Sequence, residues 1–440
     1  MVLNGFNEEN GRIVVGFSLR DYQKNIVTQA KSILKQKGLV YLAMEVRTGK
    51  TFCALFTCEG ATNVLFVTKK KAIPSIEKDF ETSGMTYQLT VINYESLHKI
   101  DKKGWSVIIV DESHSLGAFP KASKRAKDLR EIVHASNCPT IHLSGTPTPE
   151  SYSQIFHQLW INPNSPFANY KSFYKWAGNQ ENPNHVDVKK KRISNNMMVN
   201  DYSNANAVMV KEAIKPYMIH YSQSDAGFTS VIEEKILRVK MNDMTYKICN
   251  KLKNDLIVQG SDNVILADTP VKLQSKLHQL YSGTIKFEDG TRRVLDLSKA
   301  EYIRSVFQDR RIAMFYKFTA EFEAIKTVFG DTVCSDIGEF DRGTKHIALQ
   351  IVSGREGTKL SNADVLVFYN IDFSATSYWQ GRDRMTTMDR KFNKVYWIFS
   401  EGGIEDKVYK SVVDKKTYTN YYFKRDYGLL KKKTNQMKLL

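Results

Sequence analysis

The feature that most constrains this sequence is a Gly-Lys-Thr triplet placed directly after an apolar run. Residues 39–43 are apolar, and residues 45–51 read Glu-Val-Arg-Thr-Gly-Lys-Thr. A strand, a short loop and a helix in this order point backbone N–H groups at an anion. Lys50 would then reach the β- and γ-phosphates of a nucleotide, and the Thr51 hydroxyl would ligate Mg²⁺. An ordinary turn between a strand and a helix is the alternative for this triplet taken alone.

A second apolar run, residues 107–110, leads directly into two adjacent carboxylates, Asp111 and Glu112. Asp111 is expected to hold the Mg²⁺, and Glu112 to polarise the attacking water. A buried strand with a solvated end is the alternative for this motif taken alone. The two motifs in this order predict a nucleoside triphosphatase.

The phosphate-binding loop departs from the strict pattern at two positions. Met44 stands where a glycine is expected, six residues before the lysine, and Arg47 stands where a glycine is common. Lys50 and Thr51, which would contact the phosphates and Mg²⁺, are present. The predicted nucleotide contacts of this loop are Arg47, Thr48, Gly49, Lys50 and Thr51.

Short β-rich runs alternate with helical patterns in two stretches, 19–158 and 311–401. Such alternation is typical of an α/β fold in which helices cover both faces of a parallel sheet. The second stretch has no phosphate-binding loop, so we expect two α/β lobes in tandem with one nucleotide site in the cleft. The predicted strands are 40–43, 64–67, 91–93, 107–110, 140–143, 312–315, 346–351, 365–369 and 394–399.

The segment between the lobes has a different composition. Residues 162–206 are rich in Asn, Lys, Tyr and Phe, show little periodicity and include the run Lys-Lys-Lys-Arg at 189–192. We expect an irregular or helical insertion there. The predicted domains are a nucleotide-binding lobe (1–160), an insertion and linker (161–235), a second lobe (236–412) and a basic aromatic tail (413–440).

The composition limits the kinds of partner and the cellular compartment that we expect. The net charge of +17 and a pI near 9.4 favour a polyanionic partner, with a solubilising surface as the alternative. The five cysteines include no C-x-x-C pair, which fits a reducing compartment. Because neither a leader sequence nor an apolar membrane span is present, we expect a soluble cytoplasmic protein.

Three further groups extend the nucleotide site. Gln23 opens the first predicted helix, where its amide offers a donor and an acceptor to an adenine edge. Ser144 and Thr146 follow a predicted strand and are expected to transmit the nucleotide state. Arg382 and Arg384, late in the second lobe, suit the γ-phosphate transition state.

Together these segments resemble the superfamily 2 helicases, and within them the Swi/Snf-like ATPases. The resemblance covers residues 15–412 and implies two RecA-like lobes, dependence on ATP and Mg²⁺, and movement along DNA. It also assigns Gly357, in motif V, to the nucleotide. The segments similar to family motifs are 19–23, 45–51, 64–70, 93–97, 111–114, 144–150, 215–219, 313–325, 357–364 and 380–384.

Two details distinguish this chain within the resemblance. The second arginine of motif VI falls on Thr387, so Arg382 or Arg390 is expected to replace it. The compact, Lys- and Asn-rich chain resembles the small Swi/Snf-like helicases of bacteriophages, which implies a host bacterial cytoplasm.

Lys69, Lys70 and Tyr94 are the predicted nucleic-acid contacts. Contacts to phosphates would make binding independent of sequence and sensitive to salt. The lysines at 189–192 and in the tail are further candidates. The expected partner is DNA, whether branched, duplex or single-stranded, and the expected state is a monomer.

The sequence therefore predicts an ATP-dependent DNA helicase or translocase that remodels branched or protein-bound DNA in replication, recombination or repair. A duplex translocase without strand separation is the closest alternative. An RNA helicase and a DNA-binding protein whose ATPase has decayed are the others.

Overall fold

Two six-stranded sheets, one in each half of the chain, organise the fold. The structure is a computed structural model that describes residues 3–9, 12–194, 197–260, 263–354, 358–387 and 390–414. The chain divides into two compact units, 1–228 and 229–440. The predicted boundaries at 160, 235 and 412 remain predictions, and residues 415–440 of the predicted tail lie outside the described residues.

The first unit begins with a two-stranded hairpin and continues into an α/β arrangement. Its strands are β1 (Leu3–Glu9), β2 (Arg12–Phe17), β3 (Leu39–Met44), β4 (Asn63–Thr68), β5 (Gln88–Asn93), β6 (Val107–Val110), β7 (Thr140–Leu143), β8 (Lys189–Ser194), β9 (Met197–Asp201) and β10 (Met218–Tyr221). Its helices are α1 (Asp21–Lys37), α2 (Lys50–Thr57), α3 (Ile73–Ser83), α4 (Lys124–Ser136), α5 (Ile155–Leu159), α6 (Phe173–Ala177) and α7 (Ala207–Ile214). The main sheet has the order β10-β3-β7-β6-β4-β5, and all its pairings are parallel.

Strand β3 shows why this sheet is buried on both faces. All six of its residues are buried. Val40, Leu42 and Met44 join one apolar core, whereas Leu39 and Tyr41 join another. Because successive side chains of a strand point to opposite faces, a strand covered on both sides reads as an unbroken apolar run.

The second unit repeats the arrangement. Its strands are β11 (Val231–Val239), β12 (Ile257–Gln259), β13 (Val264–Leu266), β14 (Thr284–Lys286), β15 (Arg292–Val294), β16 (Ile312–Tyr316), β17 (Val333–Cys334), β18 (His346–Gln350), β19 (Val365–Phe368) and β20 (Phe392–Ser400). Its helices are α8 (Asp243–Asp255), α9 (Pro270–Leu280), α10 (Ser298–Val306), α11 (Thr319–Phe329), α12 (Ile337–Arg342), α13 (Ile351–Gly354), α14 (Ala375–Arg382) and α15 (Glu405–Val413). The main sheet, β11-β20-β19-β16-β18-β17, is again parallel throughout.

The predicted fold of two RecA-like α/β lobes is confirmed, and all nine predicted strands are present within a few residues of their expected ends. The edge strands β10 and β11 were not predicted. Both carry exposed polar side chains: β11 carries Glu233, Glu234 and Lys235 and is mostly accessible, and His220 of β10 is exposed. A charged, half-exposed strand lacks the apolar run that identifies the central strands.

The segment 162–206 contains one short helix, α6, and an antiparallel hairpin formed by β8 and β9. The hairpin was not predicted. Aromatic side chains at Phe167, Phe173 and Trp176 anchor the segment, because they pack with Tyr41 of β3 in one core. Within the described residues, we find no helix that is long and apolar enough to cross a membrane.

Candidate active site

The Gly-Lys-Thr loop lies at the carboxyl end of β3, between Met44 and the first residue of α2, Lys50. Gly49 has φ 84° and Arg47 has φ 66°. The chain thus enters the left-handed region twice, which is unstrained only for glycine. The carbonyl oxygen of Glu45 accepts hydrogen bonds from the Thr48 hydroxyl (2.7 Å) and from Lys50 Nζ (3.2 Å). These bonds fold the loop into a tight arch at the helix N-terminus, and half-buried Thr51 follows Lys50.

Gln23 holds this loop from the neighbouring helix α1. Its Nε2 donates to the Thr48 carbonyl at 3.4 Å, and the Tyr22 hydroxyl donates to the same oxygen at 3.1 Å. Its Oε1 accepts from the Arg20 N–H at 2.9 Å. A Cβ atom at Gly49 would lie 2.0 Å from Gln23 Nε2, so only glycine fits at this position. The predicted adenine reader is therefore also a support of the phosphate loop.

Asp111 and Glu112 follow β6 at the same edge of the sheet. The Thr68 hydroxyl, at the end of β4, donates to Asp111 Oδ2 at 2.7 Å. Glu112 has φ 48°, a left-handed conformation that a glutamate adopts only under strain. Strain of this kind concentrates at functional sites because the surrounding structure must hold it.

The two carboxylates have different electrostatic environments. Burial, together with the neighbouring charge of Glu112, raises the pKa of Asp111. Burial also acts to raise the pKa of Glu112, but the hydrogen bond and charge of His114, with the charge of Lys50, outweigh it and lower that pKa. Lys50 therefore lies within electrostatic reach of both groups, and Glu112 stays ionised.

These residues fit Mg²⁺ and a nucleotide. A hard cation prefers oxygen ligands, and Mg²⁺ is usually held by one or two carboxylates together with substrate phosphates. Asp111 and the Thr51 hydroxyl supply such oxygens. The described residues include no group of three or more His, Cys, Asp or Glu side chains placed to hold a metal without a substrate.

A series of polar contacts connects Glu112 to the loop after β7. His114 Nδ1 lies 3.2 Å from Glu112 Oε2 and 3.0 Å from Ser144 Oγ. Ser144 Oγ in turn accepts from the Thr146 N–H at 3.1 Å. The Thr146 hydroxyl is buried and has no hydrogen-bond partner among the described residues. Ser144 is therefore one contact away from the carboxylate motif, and Thr146 is two contacts away.

Sequence analysis missed a buried polar network beneath this loop. The Tyr41 hydroxyl donates to Gln158 Oε1 at 2.7 Å, and Gln158 Nε2 donates to the Pro147 carbonyl at 2.7 Å. His142 Nδ1 lies 2.8 Å from Ser113 Oγ. Burial lowers the pKa of His142 to about 3, so its ring is neutral. A tyrosine and a histidine inside apolar strands were the available signal, because buried polar groups need partners.

The structure corrects the expectation for Tyr94. Tyr94 is buried, and its hydroxyl donates to the backbone carbonyl of Asp111. A side chain closed off in this way supports the carboxylate motif and does not face a nucleic-acid strand. Lys70 is exposed and Lys69 is half-buried, and the charge of Lys69 helps lower the pKa of Glu112.

The arginines of the predicted motif VI are held within the second unit. Arg382 pairs with Glu234 of β11, and its guanidinium lies 4.2 Å from the centre of the Trp379 ring. Arg384 is buried and donates from Nε to the Gln380 carbonyl at 2.9 Å. Arg390, the other candidate, donates to the carbonyls of Ser361, Ala363 and Asp364.

Glu234 is a positioning residue that the sequence did not identify. It accepts from the Tyr378 hydroxyl (3.0 Å) and from Trp397 Nε1 (2.9 Å) as well as from Arg382. Arg390 donates to backbone carbonyls, as Arg384 does, and the replacement of the missing arginine by Arg382 or Arg390 stays a prediction. Gly357, the predicted nucleotide contact in motif V, lies outside the described residues.

Two parallel-sheet units, the first of which carries a phosphate loop beside a carboxylate pair, define a class of nucleotide-hydrolysing proteins. The model of the SNF2-related domain matches residues 30–294, more than half of the chain. The chain therefore belongs to the SNF2-related family, and the predicted Swi/Snf-like membership of superfamily 2 is confirmed. The likeness to bacteriophage helicases remains a prediction.

Similar proteins agree with this family. The ISWI chromatin-remodeling complex ATPase ISW1 of Saccharomyces cerevisiae is 21% identical over 406 residues, which are 81% of this chain and 33% of that protein. The chain thus spans about a third of the length of that curated relative.

Two solved structures are also similar. The Sulfolobus solfataricus SWI2/SNF2 ATPase core in complex with dsDNA has 15% identity and a TM-score of 0.41, over 93% of this chain and 92% of that chain. The Pyrococcus furiosus Hef helicase domain has 12% identity and a TM-score of 0.47, over 89% of this chain and 98% of that chain.

Proposed function

We propose that this protein hydrolyses ATP in response to DNA and moves along it. The observation that carries the proposal is the series from Glu112 through His114 to Ser144, with contacts of 3.2 and 3.0 Å. It joins the group that would activate water to the loop after β7, which contains the predicted coupling residues Ser144 and Thr146. Such a connection would let a bound DNA strand influence hydrolysis.

Each residue of the first unit has a distinct task in the proposed mechanism. Lys50 binds the β- and γ-phosphates, and the N–H groups that open α2 face them. Thr51 and Asp111 would hold Mg²⁺, which supplies positive charge to the phosphates when bound. Ionised Glu112 orients the attacking water and accepts its proton. The resemblance to motif VI supports Arg382 and Arg384 as further charge-stabilising candidates.

ATP turnover with and without duplex DNA tests the proposal. We expect DNA to stimulate turnover, and Lys50→Ala to abolish it. Lys24→Ala is the matched control, because Lys24 is an exposed lysine paired only with Asp21. Unstimulated turnover in the unaltered protein, or full turnover by Lys50→Ala, would contradict a motor. Absence of any turnover would favour the alternative of a DNA-binding protein whose ATPase has decayed.

The finer activity is a separate part of the proposal. We propose a helicase or translocase that remodels branched or protein-bound DNA in replication, recombination or repair. Displacement of a duplex strand, a triplex strand and an arm of a four-way junction, each with ATP, distinguishes the possibilities. Displacement of the triplex strand alone would identify a duplex translocase without strand separation.

We further propose that the protein acts as a monomer in the cytoplasm, and that residues 161–235 form an insertion and linker between its lobes. Sedimentation velocity at working concentration tests the first point. A dimer there would contradict it.

A further inference from the structure

Most of the described side chains of the β8–β9 hairpin are exposed, on both of its faces. Lys189 and Lys191 belong to one face and Lys190 to the other, because side chains alternate along a strand. All three are exposed, and so are Met198, Val199 and Asn200 on the opposite strand. Met198 is 52% and Val199 37% accessible. A two-stranded hairpin with exposed faces is marginal by itself, so contact with a partner would stabilise it.

The base of the hairpin is anchored firmly. Val186 and Val188, just before β8, are buried in the aromatic core that also holds Tyr41 of β3. The Asp187 N–H donates to the Asn204 carbonyl at 2.9 Å, and Asn204 Nδ2 donates to Asp187 Oδ2 at 2.8 Å. The exposed ribbon thus projects from a fixed support and is not a loose loop.

Charge identifies the partner. The strand begins Lys-Lys-Lys-Arg, and the acidic residues of the ribbon and its base are Asp187 and Asp201. Lys189 pairs with Asp187 at 3.1 Å, but both side chains are more than 60% accessible, so the pair is weak and easily exchanged for a phosphate. The ribbon is therefore complementary to a polyanion.

Shape favours duplex DNA among polyanions. The major groove of B-form DNA is about 12 Å wide and admits a two-stranded ribbon. The major groove of A-form RNA is too deep and narrow for side chains to enter. Lysines on both faces of one ribbon can reach the phosphates on both walls of a groove.

The ribbon is also bonded to the loop that follows the nucleotide site. The Ser151 hydroxyl donates to the Ser203 carbonyl at 2.6 Å, and the Ser153 hydroxyl donates to the Tyr202 carbonyl at 2.5 Å. Tyr202 and Ser203 directly follow β9, and Ser151 directly follows the motif III segment, 144–150. A force on the ribbon is therefore transmitted to the segment that contains Ser144 and Thr146.

We propose that the β8–β9 ribbon binds duplex DNA in a groove and reports that binding to the nucleotide site through Ser151 and Ser153. The binding part stands on the exposed basic ribbon. The coupling part rests on the proposed function.

The first test measures duplex DNA binding by fluorescence anisotropy over a range of salt concentrations. The variant is Lys189→Ala/Lys190→Ala/Lys191→Ala, and the matched control is Lys35→Ala/Lys251→Ala/Lys326→Ala, which removes three exposed lysines elsewhere. We expect the first variant to bind duplex DNA about tenfold or more weakly than the unaltered protein. We also expect the slope of log K against log salt to become shallower by about 3, because three phosphate contacts are lost. The control should stay within about twofold in affinity, since a few scattered charges act mainly through the screened long-range field.

Equal losses in the two variants, or no loss in the first, would overturn the ribbon as a binding element. A loss on duplex RNA as large as that on duplex DNA would overturn the groove assignment. Thermal melting identifies any misfolded variant, for which the single substitution Lys190→Ala replaces the triple, with an expected slope change of about 1.

The second test uses Ser151→Ala/Ser153→Ala. We expect DNA affinity within about twofold of the unaltered protein, with DNA-stimulated ATP turnover lowered several-fold. Unchanged stimulation of ATP turnover by DNA in this variant would show that the ribbon is not coupled to the nucleotide site through these two serines. If DNA does not stimulate even the unaltered protein, the proposed function and the coupling fail together, whereas the anisotropy measurement still decides the binding.

Discussion

His114 Nδ1 lies 3.0 Å from the Ser144 hydroxyl, although 30 residues separate them in the chain. The same ring nitrogen lies 3.2 Å from Glu112 Oε2. One imidazole therefore bridges the carboxylate motif after β6 and the hydroxyl motif after β7. A displacement of His114 would alter both contacts.

Ser144→Ala should lower DNA-stimulated ATP turnover about tenfold while nucleotide binding is retained. The substitution removes the hydroxyl that contacts His114 and accepts from the Thr146 N–H, and about 1.4 kcal/mol in the barrier is a factor of ten. Steady-state turnover with saturating DNA measures the effect. Ser136→Ala is the control, because that hydroxyl lies on an exposed helix end and bonds only the Lys102 carbonyl. Full stimulation in Ser144→Ala would show that the series does not carry the signal.

Glu112→Gln should retain nucleotide binding and lose about 10²–10⁴-fold in turnover. The amide keeps the size of the side chain but cannot accept the proton of the attacking water. Binding of a fluorescent ATP analogue and phosphate release measure the two properties separately. Glu95→Gln, at an exposed glutamate paired with Arg125, should change neither. Substantial phosphate release by Glu112→Gln would mean that another residue accepts the proton of the attacking water.

Gly49→Ala and Gly60→Ala form a matched pair. Their φ angles are 84° and 85°, so both substitutions carry the same backbone strain, about 1 kcal/mol. A Cβ at Gly49 would lie 2.0 Å from Gln23 Nε2, whereas nothing lies within 4 Å of one at Gly60. We expect both variants to melt slightly earlier, and only Gly49→Ala to raise the KM for ATP, by tenfold or more. A normal KM in Gly49→Ala would mean that the Gln23 contact does not shape the phosphate loop.

Lys299→Met should destabilise the second unit by about 3–5 kcal/mol. Lys299 Nζ lies 2.9 Å from Glu405 Oε1, and neither side chain has any solvent-accessible surface. Removing one partner leaves the other charge buried and unpaired. The urea midpoint measures the loss, and Lys345→Met, which breaks an exposed pair with Glu339, should cost less than about 1 kcal/mol. Comparable midpoints for the two variants would contradict a buried charge pair.

Asp296 should contribute stability that disappears in acid. Burial acts to raise its pKa, but hydrogen bonds from Ser298 and Thr245 outweigh it and lower that pKa. A carboxyl with a lowered folded pKa stabilises the fold above its unfolded pKa, about 3.9, and loses that contribution as the pH falls through the folded value.

Urea midpoints at neutral pH and below pH 4 measure this dependence. Asp296→Asn should lower the urea midpoint at neutral pH and should reduce the further fall of the midpoint in acid. The exposed Asp309→Asn should have the same midpoints as the unaltered protein. If Asp296→Asn and the unaltered protein lose the same stability between neutral pH and acid, Asp296 is not the source of the pH dependence.

Much of the fold and part of the site were readable from the sequence. The central strands β3, β4 and β6 consist mostly of apolar residues, because a strand covered on both faces has no polar side to display. The edge strands β10 and β11 escaped prediction for the opposite reason. Tyr94 was misassigned because its sequence position places it after a strand but does not reveal that it points inward to Asp111.

The sequence by itself determined the phosphate loop, the carboxylate pair and the alternating elements that carry them. These are local: a glycine that tolerates a left-handed φ, a lysine and a hydroxyl next to it, and apolar runs of strand length. The tertiary structure decided which distant polar groups meet, as with Tyr41 and Gln158, 117 residues apart and 2.7 Å from each other. Such contacts depend on how helices such as α5 pack against the strands of the sheet, and no pattern within a short stretch of sequence encodes that packing.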